Sequence, residues 1–128
     1  MTSSYFDLTG KTIIITGGSK GLGEEMAHAL AEAGADLALV SRTQADLDKV
    51  AEEIRAATGR RVLGVVADVT KETDIIAMTQ RVMAEFGQVD VLINNAGIGG
   101  TTPVLDLQEE EWDRYMNLNL KGPVLCSK

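Results

Sequence analysis

A glycine-rich segment at residues 16–23 carries the first residues that could do chemistry. Its sequence is Thr-Gly-Gly-Ser-Lys-Gly-Leu-Gly, with glycines at Gly17, Gly21 and Gly23. A glycine that ends a strand can turn with a positive φ, and a glycine at a helix start lets phosphates reach free N–H groups. A further glycine allows the helix to lie close to the sheet. The segment predicts a dinucleotide phosphate site, unless these glycines serve only the strand-to-helix turn.

The residues that end the next apolar segment, Ser41 and Arg42, bear on the kind of dinucleotide. In a dinucleotide fold this position meets the adenosine ribose, where an acid accepts from a 2′-hydroxyl and a base pairs with a 2′-phosphate. Ser41 leaves room there, and the Arg42 guanidinium offers a fork of donors to phosphate oxygens. Lys20 could add a second positive charge. We therefore expect NADP rather than NAD; the alternative is that Arg42 and Lys20 are ordinary solvated surface residues.

Metal and disulfide chemistry has little support in the residue types present. His28 is the only histidine and Cys126 the only cysteine, so neither a histidine–cysteine metal cluster nor an internal disulfide is expected. His28 falls within a predicted helix, where we expect a solvated side chain. The sequence therefore predicts no metal site.

Strand and helix patterns alternate along the chain and must position these residues. Strands are predicted at residues 11–16, 36–40, 61–66 and 89–93. Helices are predicted at residues 24–33, after Thr43 as a cap, after Thr70 as a cap, and from about residue 107 onward. The first helix should bury an apolar stripe, which consists of Leu22, Met26, Ala29, Leu30 and Ala33. Gly122-Pro123 should interrupt or bend the last helix.

Alternating strands and helices predict right-handed crossovers and a parallel sheet. We therefore expect a Rossmann-type α/β fold, a doubly wound parallel sheet in a three-layer αβα arrangement with at least four strands. Residues 1–128 should form one dinucleotide-binding domain. An apolar helical pattern is still running at Lys128, which predicts a fold truncated before its later strands and belonging to a longer single-domain enzyme.

Composition limits the classes of partner. Lys and Arg number 12 and Asp and Glu number 19, which gives a formal net charge of −7. Nucleic acids and anionic membranes are bound by clustered basic residues, so neither is an expected partner. No apolar run is long enough to cross a bilayer, and residues 1–7 show no signal-peptide pattern. We expect a cytoplasmic protein.

Four motifs, taken together, resemble the short-chain dehydrogenase/reductase family. They are Thr16-Gly17-x-x-x-Gly21-x-Gly23, Asp68-Val69, Asn94-Asn95-Ala96-Gly97 and Asn119-Leu120-Lys121-Gly122, in that order. The resemblance runs from Leu8 to the last residue. The opening Phe6-Asp7-Leu8-Thr9-Gly10-Lys11 is also similar to gluconate 5-dehydrogenase-like members of the family.

The resemblance implies a role for each matching residue. The pyrophosphate and adenosine side of the cofactor would be held by Gly17, Ser19, Lys20, Gly21, Leu22 and Gly23. Asp68 would accept from the adenine amino group beside Val69, unless it only caps the helix that follows. Asn95, Ala96 and Gly97 would line the cofactor and stabilise the central sheet; the alternative for Asn94 and Asn95 is that they only form a strand-end turn. Asn119 would be a buried asparagine that holds a water in the family's proton relay, unless its amide only satisfies a kink near Gly122.

The family's proton-transfer pair is absent from the sequence. Members carry a Tyr-x-x-x-Lys pair, in which the tyrosine moves the proton and the lysine lowers its pKa. Here Tyr5 and Tyr115 are followed, four residues later, by Thr9 and Asn119. The resemblance thus implies the N-terminal part of an NADP-dependent enzyme that interconverts a small-molecule alcohol and a ketone, on a polyol or sugar acid, and forms a homo-oligomer (tetramer or dimer). The alternatives are a non-catalytic nucleotide-binding module and an inactive truncated fragment.

Overall fold

Four parallel strands form one sheet in the computed structural model, which describes residues 4–128. The strands are β1 Thr12–Thr16, β2 Asp36–Ser41, β3 Val62–Val66 and β4 Val91–Asn94, arranged in the order β3-β2-β1-β4. Thr16 is paired with both Val40 and Asn94, so β1, β2 and β4 end at the same edge of the sheet. The predicted Rossmann-type sheet is confirmed, and the first three residues of the predicted domain lie outside the described residues.

Helices connect the strands and cover the sheet. They are α1 Gly21–Glu32, α2 Gln44–Thr58, α3 Glu72–Phe86, α4 Glu109–Met116 and α5 Gly122–Ser127, with a π-helical segment at Asn117–Lys121 between α4 and α5. Short 3-10 turns lie at Ser4–Phe6 and Val104–Asp106. None of the helices within residues 4–128 combines the length and the apolar character needed to cross a bilayer.

Strand β1 is buried on both of its faces, which explains why it is apolar at successive positions. Ile13 and Ile15 pack with α1 and α2 on one face, whereas Ile14 points to the other face and packs with α3. Side chains of a strand alternate between its two faces, so a β-branched run such as 13–15 serves two cores at once. The outcome is the predicted three-layer αβα arrangement.

The first helix begins earlier and turns a different face inward than its apolar pattern predicts. It starts at Gly21 rather than Glu24, and its buried residues are Gly23, Ala27 and Ala31. Leu22, predicted to be buried, is 76% exposed. Small residues face the sheet because the first turn of α1 lies against the backbone of the preceding loop, where a larger side chain has no space.

Two predicted boundaries also shift. The N-cap of α3 is Lys71 rather than Thr70, because the Thr70 hydroxyl donates instead to Oδ1 of Asp68 at 2.6 Å. Strand β4 begins at Val91 rather than Val89. The residue between them, Asp90, uses its carboxylate to accept from the backbone N–H of Thr12 at 2.8 Å.

The predicted interruption at Gly122-Pro123 takes the form of the π-helical segment. The chain remains helical through Pro123, which lies in the first turn of α5. Proline lacks an N–H and its ring crowds the carbonyl four residues earlier, so a widened turn before it relieves that contact. Gly122 is buried against Val69, where an added Cβ would lie 3.3 Å from the Val69 side chain.

Candidate nucleotide-binding site

A cleft of about 1040 Å³ opens at the carboxyl ends of the strands. It lies between the loops that follow β1 and β4, and this is the point where the strand order 3-2-1-4 reverses direction. Open α/β sheets bind ligands at such a switch point. The structure brings ten of the predicted site residues to this cleft: Gly17, Ser19, Lys20, Ser41, Arg42, Asp68, Val69, Asn95, Ala96 and Gly97.

The glycine-rich loop brings α1 very close to the end of β1. Gly17 has a φ of +67°, and its N–H donates to the carbonyl of Val40 at 2.8 Å. A Cβ added to Gly23 would lie 2.0 Å from the Gly17 carbonyl oxygen, so only glycine fits there. The two glycines therefore make the turn and the close approach that their spacing predicts.

The start of α1 has the features of an anion site. Lys20 is the N-cap residue, its backbone is extended, and no side chain caps the first turn. The first N–H groups of a helix have no partner within the helix, and they attract phosphate. Gly21 has a φ of +53°, it is exposed, and nothing lies within 4 Å of a Cβ placed on it. The residues present thus fit the phosphates of a dinucleotide.

Four predicted site residues do not line the cleft: Gly21, Leu22, Gly23 and Asn119. Gly21 and Leu22 are exposed in the first turn of α1, and Gly23 is buried beneath it. Asn119 contacts the loop that follows β4. The first turn of α1 offers its backbone N–H groups to a ligand, and the Leu22 side chain is 76% exposed beside them.

Thr16 joins the two loops of the cleft, a role that the sequence analysis did not assign to it although it begins the glycine-rich motif. Its hydroxyl oxygen accepts from the backbone N–H groups of Asn95 and Ala96, each at 3.1 Å, and the side chain is 1% exposed. Asn95 in turn donates from its side-chain amide to the carbonyl of Gly17 at 3.1 Å. A buried hydroxyl at the end of an apolar strand is the signal that could have identified it.

Arg42 and Lys20, the two predicted phosphate ligands, lie at one end of the cleft together with an acid. Lys20 Nζ is 3.3 Å from Asp46 Oδ2, and all three side chains line the cleft. The Ser41 hydroxyl is engaged by the backbone of Thr43, which donates to it at 3.2 Å. The sequence prediction did not include Asp46, which the first turn of α2 brings to this place.

Asp68 lies two residues beyond the carboxyl end of β3 and lines the same cleft. Oδ1 of Asp68 accepts from the hydroxyl of Thr70 at 2.6 Å and from its backbone N–H at 2.9 Å. The Thr70 hydroxyl is the main reason that the pKa of Asp68 is lowered from its ordinary value, and Lys71 and Arg42 add smaller effects. Asp68 is therefore ionised at neutral pH and can accept a further hydrogen bond.

Asn119 holds the loop that follows β4. Its Oδ1 accepts from the N–H of Ile98 at 2.9 Å, and its Nδ2 donates to the carbonyl of Ile98 at 2.8 Å. The predicted burial of this amide is wrong, because the residue is exposed. Its two polar atoms are nonetheless both paired, since the π-helical segment carries it to the level of the loop.

One face of α4 forms the far wall of the cleft, and these residues were missed by the sequence prediction. The cleft-lining residues of α4 and of the segment after it are Glu110, Asp113, Arg114, Asn117 and Leu118. They recur at spacings of three and four residues, which place them on one face of a helix. That polar stripe is the signal that could have selected them.

The sequence predicts no metal site, but one group of three side chains within the described residues has a spacing that could hold a metal ion. Ligand atoms of Glu24, His28 and Glu53 lie within 4.8 Å of one another, on α1 and α2. The sequence prediction considered histidine and cysteine spacing and did not foresee this grouping. Acidic groups at a surface are common without an ion, and none of the three residues lines the cleft. The absence of a metal site stays a prediction.

A parallel sheet with a glycine-rich turn and an anion-binding helix start defines the class of dinucleotide-binding α/β proteins. Residues 11–128 match the family model described as short chain dehydrogenase. The chain belongs to the short-chain dehydrogenase family.

Three relatives illustrate the similarity. The chain is 39% identical to 2-dehydro-3-deoxy-D-gluconate 5-dehydrogenase of Escherichia coli over 128 residues, which is 100% of this chain and 49% of that protein. L-Sorbose reductase from Gluconobacter frateurii, solved with NADPH and L-sorbose, is 33% identical with a TM-score of 0.91, covering 95% of this chain and 46% of that one. The 3-ketoacyl-(acyl-carrier-protein) reductase from Brucella melitensis, solved with NADH, is 40% identical with a TM-score of 0.87. The match covers 94% of this chain and 48% of that one. The chain spans about half the length of each of these relatives.

Proposed function

We propose that this chain is the cofactor-binding part of an oxidoreductase that interconverts an alcohol and a ketone, with NADP as its cofactor. The observation that carries the proposal is the cleft at the switch point between β1 and β4. At this cleft no side chain caps the start of α1, and Gly21, the first residue of the helix, is exposed. When bound, the nicotinamide supplies or accepts the hydride of such a reaction. The residues of this chain bind and orient the cofactor.

The preference for NADP rests on Arg42 and Lys20. Both side chains line the end of the cleft that follows β2, where a 2′-phosphate lies in dinucleotide folds. Two cations within reach of one phosphate favour it over a neutral hydroxyl. The solved relatives include one complex with NADPH and one with NADH, so the family likeness is compatible with either cofactor.

Titration of the 128-residue chain with NADP⁺ and NAD⁺ in a calorimeter tests this proposal. Arg42→Asp should weaken NADP⁺ binding more than NAD⁺ binding, because the guanidinium is replaced by a repelling carboxylate. Arg81→Asp changes the charge equally on α3, outside the cleft, and is the matched control. An unchanged ratio of the two affinities in Arg42→Asp would refute the ribose-phosphate assignment.

The adenine end of the cofactor is assigned to Asp68 and Val69, and the strand-end residues Asn95, Ala96 and Gly97 are assigned to its central part. Asp68 is ionised and lines the cleft, which supports a role as acceptor for the adenine amino group. Asp68→Ala should weaken NADP⁺ and NAD⁺ binding by similar factors, because both contain adenine. Unchanged affinities would leave Asp68 only its local role as the acceptor of the Thr70 hydrogen bonds.

The substrate of the whole protein is proposed to be a polyol or a sugar acid. The Escherichia coli relative is a dehydrogenase of 2-dehydro-3-deoxy-D-gluconate, and the Gluconobacter frateurii relative was solved with L-sorbose. Asn119 is proposed to take part in the proton relay through the loop that it holds. Both proposals require a Tyr-x-x-x-Lys pair, which residues 1–128 do not contain.

The intact mass of the natural polypeptide is the first measurement for the catalytic part of the proposal. A mass well above 13.7 kDa, with a Tyr-x-x-x-Lys pair downstream of Lys128, supports hydride transfer and justifies a substrate screen with NADPH. A mass of 13.7 kDa removes hydride transfer from this polypeptide and leaves nucleotide binding alone. Assembly into a homo-oligomer and a cytoplasmic location stay predictions of the sequence.

A further inference from the structure

We propose that Asp46 is a specificity-determining residue that limits the preference of the cleft for a 2′-phosphorylated dinucleotide. The proposal rests on the proposed function, because it concerns the same cleft and cofactor. It assigns to Asp46 a role opposite to that of Arg42 and Lys20. The physical basis is that the Asp46 carboxylate forms an ion pair with the Lys20 ammonium and adds a negative charge where the phosphate must bind.

The geometry brings a residue of α2 to the loop that begins α1. Asp46 lies in the first turn of α2, immediately after the segment that carries Arg42, and Lys20 precedes the first residue of α1. The ammonium of Lys20 lies 3.3 Å from the carboxylate of Asp46. The Lys20 side chain is 78% exposed and that of Asp46 is 35% exposed, so the carboxylate is the more buried partner of the pair.

A carboxylate at this place changes the balance between the two cofactors in two ways. It competes with a 2′-phosphate for Lys20, and it repels the doubly charged group directly. It also supplies an acceptor of the kind that binds a ribose 2′-hydroxyl in NAD-binding folds. Both effects lower the ratio of NADP affinity to NAD affinity. Arg42, which no acid within residues 4–128 contacts at ion-pair distance, acts in the opposite direction.

Asp46→Asn tests the assignment on the 128-residue chain, with calorimetric titrations of NADP⁺ and NAD⁺. The expected result is a rise of about three- to fivefold in the ratio of NADP⁺ to NAD⁺ affinity, the size that one exposed ion pair supports. Asp48→Asn is the matched control. Asp48 lies on the same helix and carries the same charge, but it accepts from Gln44 and does not line the cleft.

Lys20→Met, made in the natural chain and in the Asp46→Asn background, provides a second test. If Asp46 occupies Lys20, removal of the lysine should lower NADP⁺ affinity less in the natural chain than in the Asp46→Asn background. High salt should reduce all of these differences, because the groups are exposed.

The outcomes separate this proposal from the proposed function. An unchanged affinity ratio in Asp46→Asn, or an equal rise in Asp48→Asn, overturns the role of Asp46 while both cofactors still bind. If neither cofactor binds the natural chain in these titrations, the proposed nucleotide-binding function itself fails, and the role of Asp46 falls with it.

Discussion

The side-chain amide of Asn119 forms two hydrogen bonds with a single residue, Ile98, through its N–H and its carbonyl group. This pairing imitates the pattern of neighbouring strands, and it ties the π-helical segment to the loop that follows β4. Gly97 lies between them, where an added Cβ would be 3.1 Å from Asn119 Oδ1. Asn119 does not line the cleft, but it anchors the loop of Gly97 and Ile98 that does, which makes it a positioning residue for the nucleotide site.

Asn119→Ala should lower the free energy of unfolding by about 1 kcal/mol, since it removes two exposed hydrogen bonds whose donors and acceptors can partly turn to water. Cofactor affinity should fall as well, because the loop that lines the cleft loses its anchor. Urea unfolding and calorimetric titration measure the two effects. Asn117→Ala, a truncation in the same π-helical segment, is the control for stability. Equal losses of stability in both variants would show that the Ile98 pairing contributes nothing.

Thr16→Val should be more destabilising than its small change in shape suggests. The valine keeps the packing but removes the acceptor of the part-buried Ala96 N–H and one of the two acceptors of the Asn95 N–H, which costs about 1–3 kcal/mol for each group that stays unpaired. The measurement is the midpoint and slope of urea unfolding.

Thr12→Val is the matched control for this prediction. Thr12 lies at the other end of β1 and is 2% exposed, and within residues 4–128 its hydroxyl has no hydrogen bond. The same substitution should therefore change stability little or even raise it. A loss of stability at Thr12 as large as that at Thr16 would contradict the role assigned to the Thr16 hydroxyl.

Gly23→Ala should prevent α1 from packing in its present position. The added Cβ would lie 2.0 Å from the carbonyl oxygen of Gly17 and 2.6 Å from the side-chain amide of Asn95, and neither contact is relieved by a rotation of the new methyl group. Overpacking against backbone costs about 1–3 kcal/mol, and here the upper end applies. NADP⁺ binding should weaken in parallel, because the start of α1 moves.

Gly99→Ala gives the comparison, because a Cβ at Gly99 meets nothing within 4 Å and its φ is not in the left-handed region. It should leave the free energy of unfolding within about 0.5 kcal/mol of the natural chain. Thermal and urea unfolding of both variants would decide the matter. A Gly23→Ala chain as stable as Gly99→Ala would mean that α1 does not need this close approach.

Local patterns predicted the parts of the fold that depend on neighbours in sequence. The β-branched run 13–15 predicted a strand buried on both faces, and the spacing of Gly17 and Gly23 predicted the turn and the close helix. Contacts between distant segments were not predictable in this way. The hydroxyl of Thr16 reaches backbone groups 79 and 80 residues later, and no periodicity in the sequence carries that information.

The wrong predictions have the same physical origin. Leu22 was assigned to the core on its apolar character, but the close approach of Gly23 fixes the rotation of α1 and leaves Leu22 facing solvent. Asp46 was not selected from the sequence at all, because its pairing with Lys20 depends on how the start of α1 and the start of α2 meet. Side chains at the cleft are therefore predictable where one segment provides them, and less so where two segments must meet.

Asp68 gives a prediction for the dependence of stability on pH. Its pKa in the folded chain is lowered from the ordinary value of 3.8, mainly by the hydrogen bond from the Thr70 hydroxyl. A carboxylate whose pKa is lowered by folding stabilises the fold above its unfolded pKa, and it loses this contribution as the pH falls through the folded value.

Unfolding by urea at several values from about pH 7 down to about pH 3 should therefore show a difference between the natural chain and Asp68→Asn that shrinks with acidity. At neutral pH the natural chain should be the more stable, because its charged acceptor binds the Thr70 hydroxyl more strongly than an amide does. The difference should begin to shrink as the pH falls below the unfolded value of 3.8, and the two chains should converge as the pH falls through the lower pKa of Asp68 in the folded chain. Asp7→Asn is the control. The pKa of Asp7 is also lowered, through Thr9, but Asp7 is exposed and does not line the cleft. A difference for Asp68→Asn that stays constant over this range would mean that the ionised form of Asp68 is not what Thr70 stabilises.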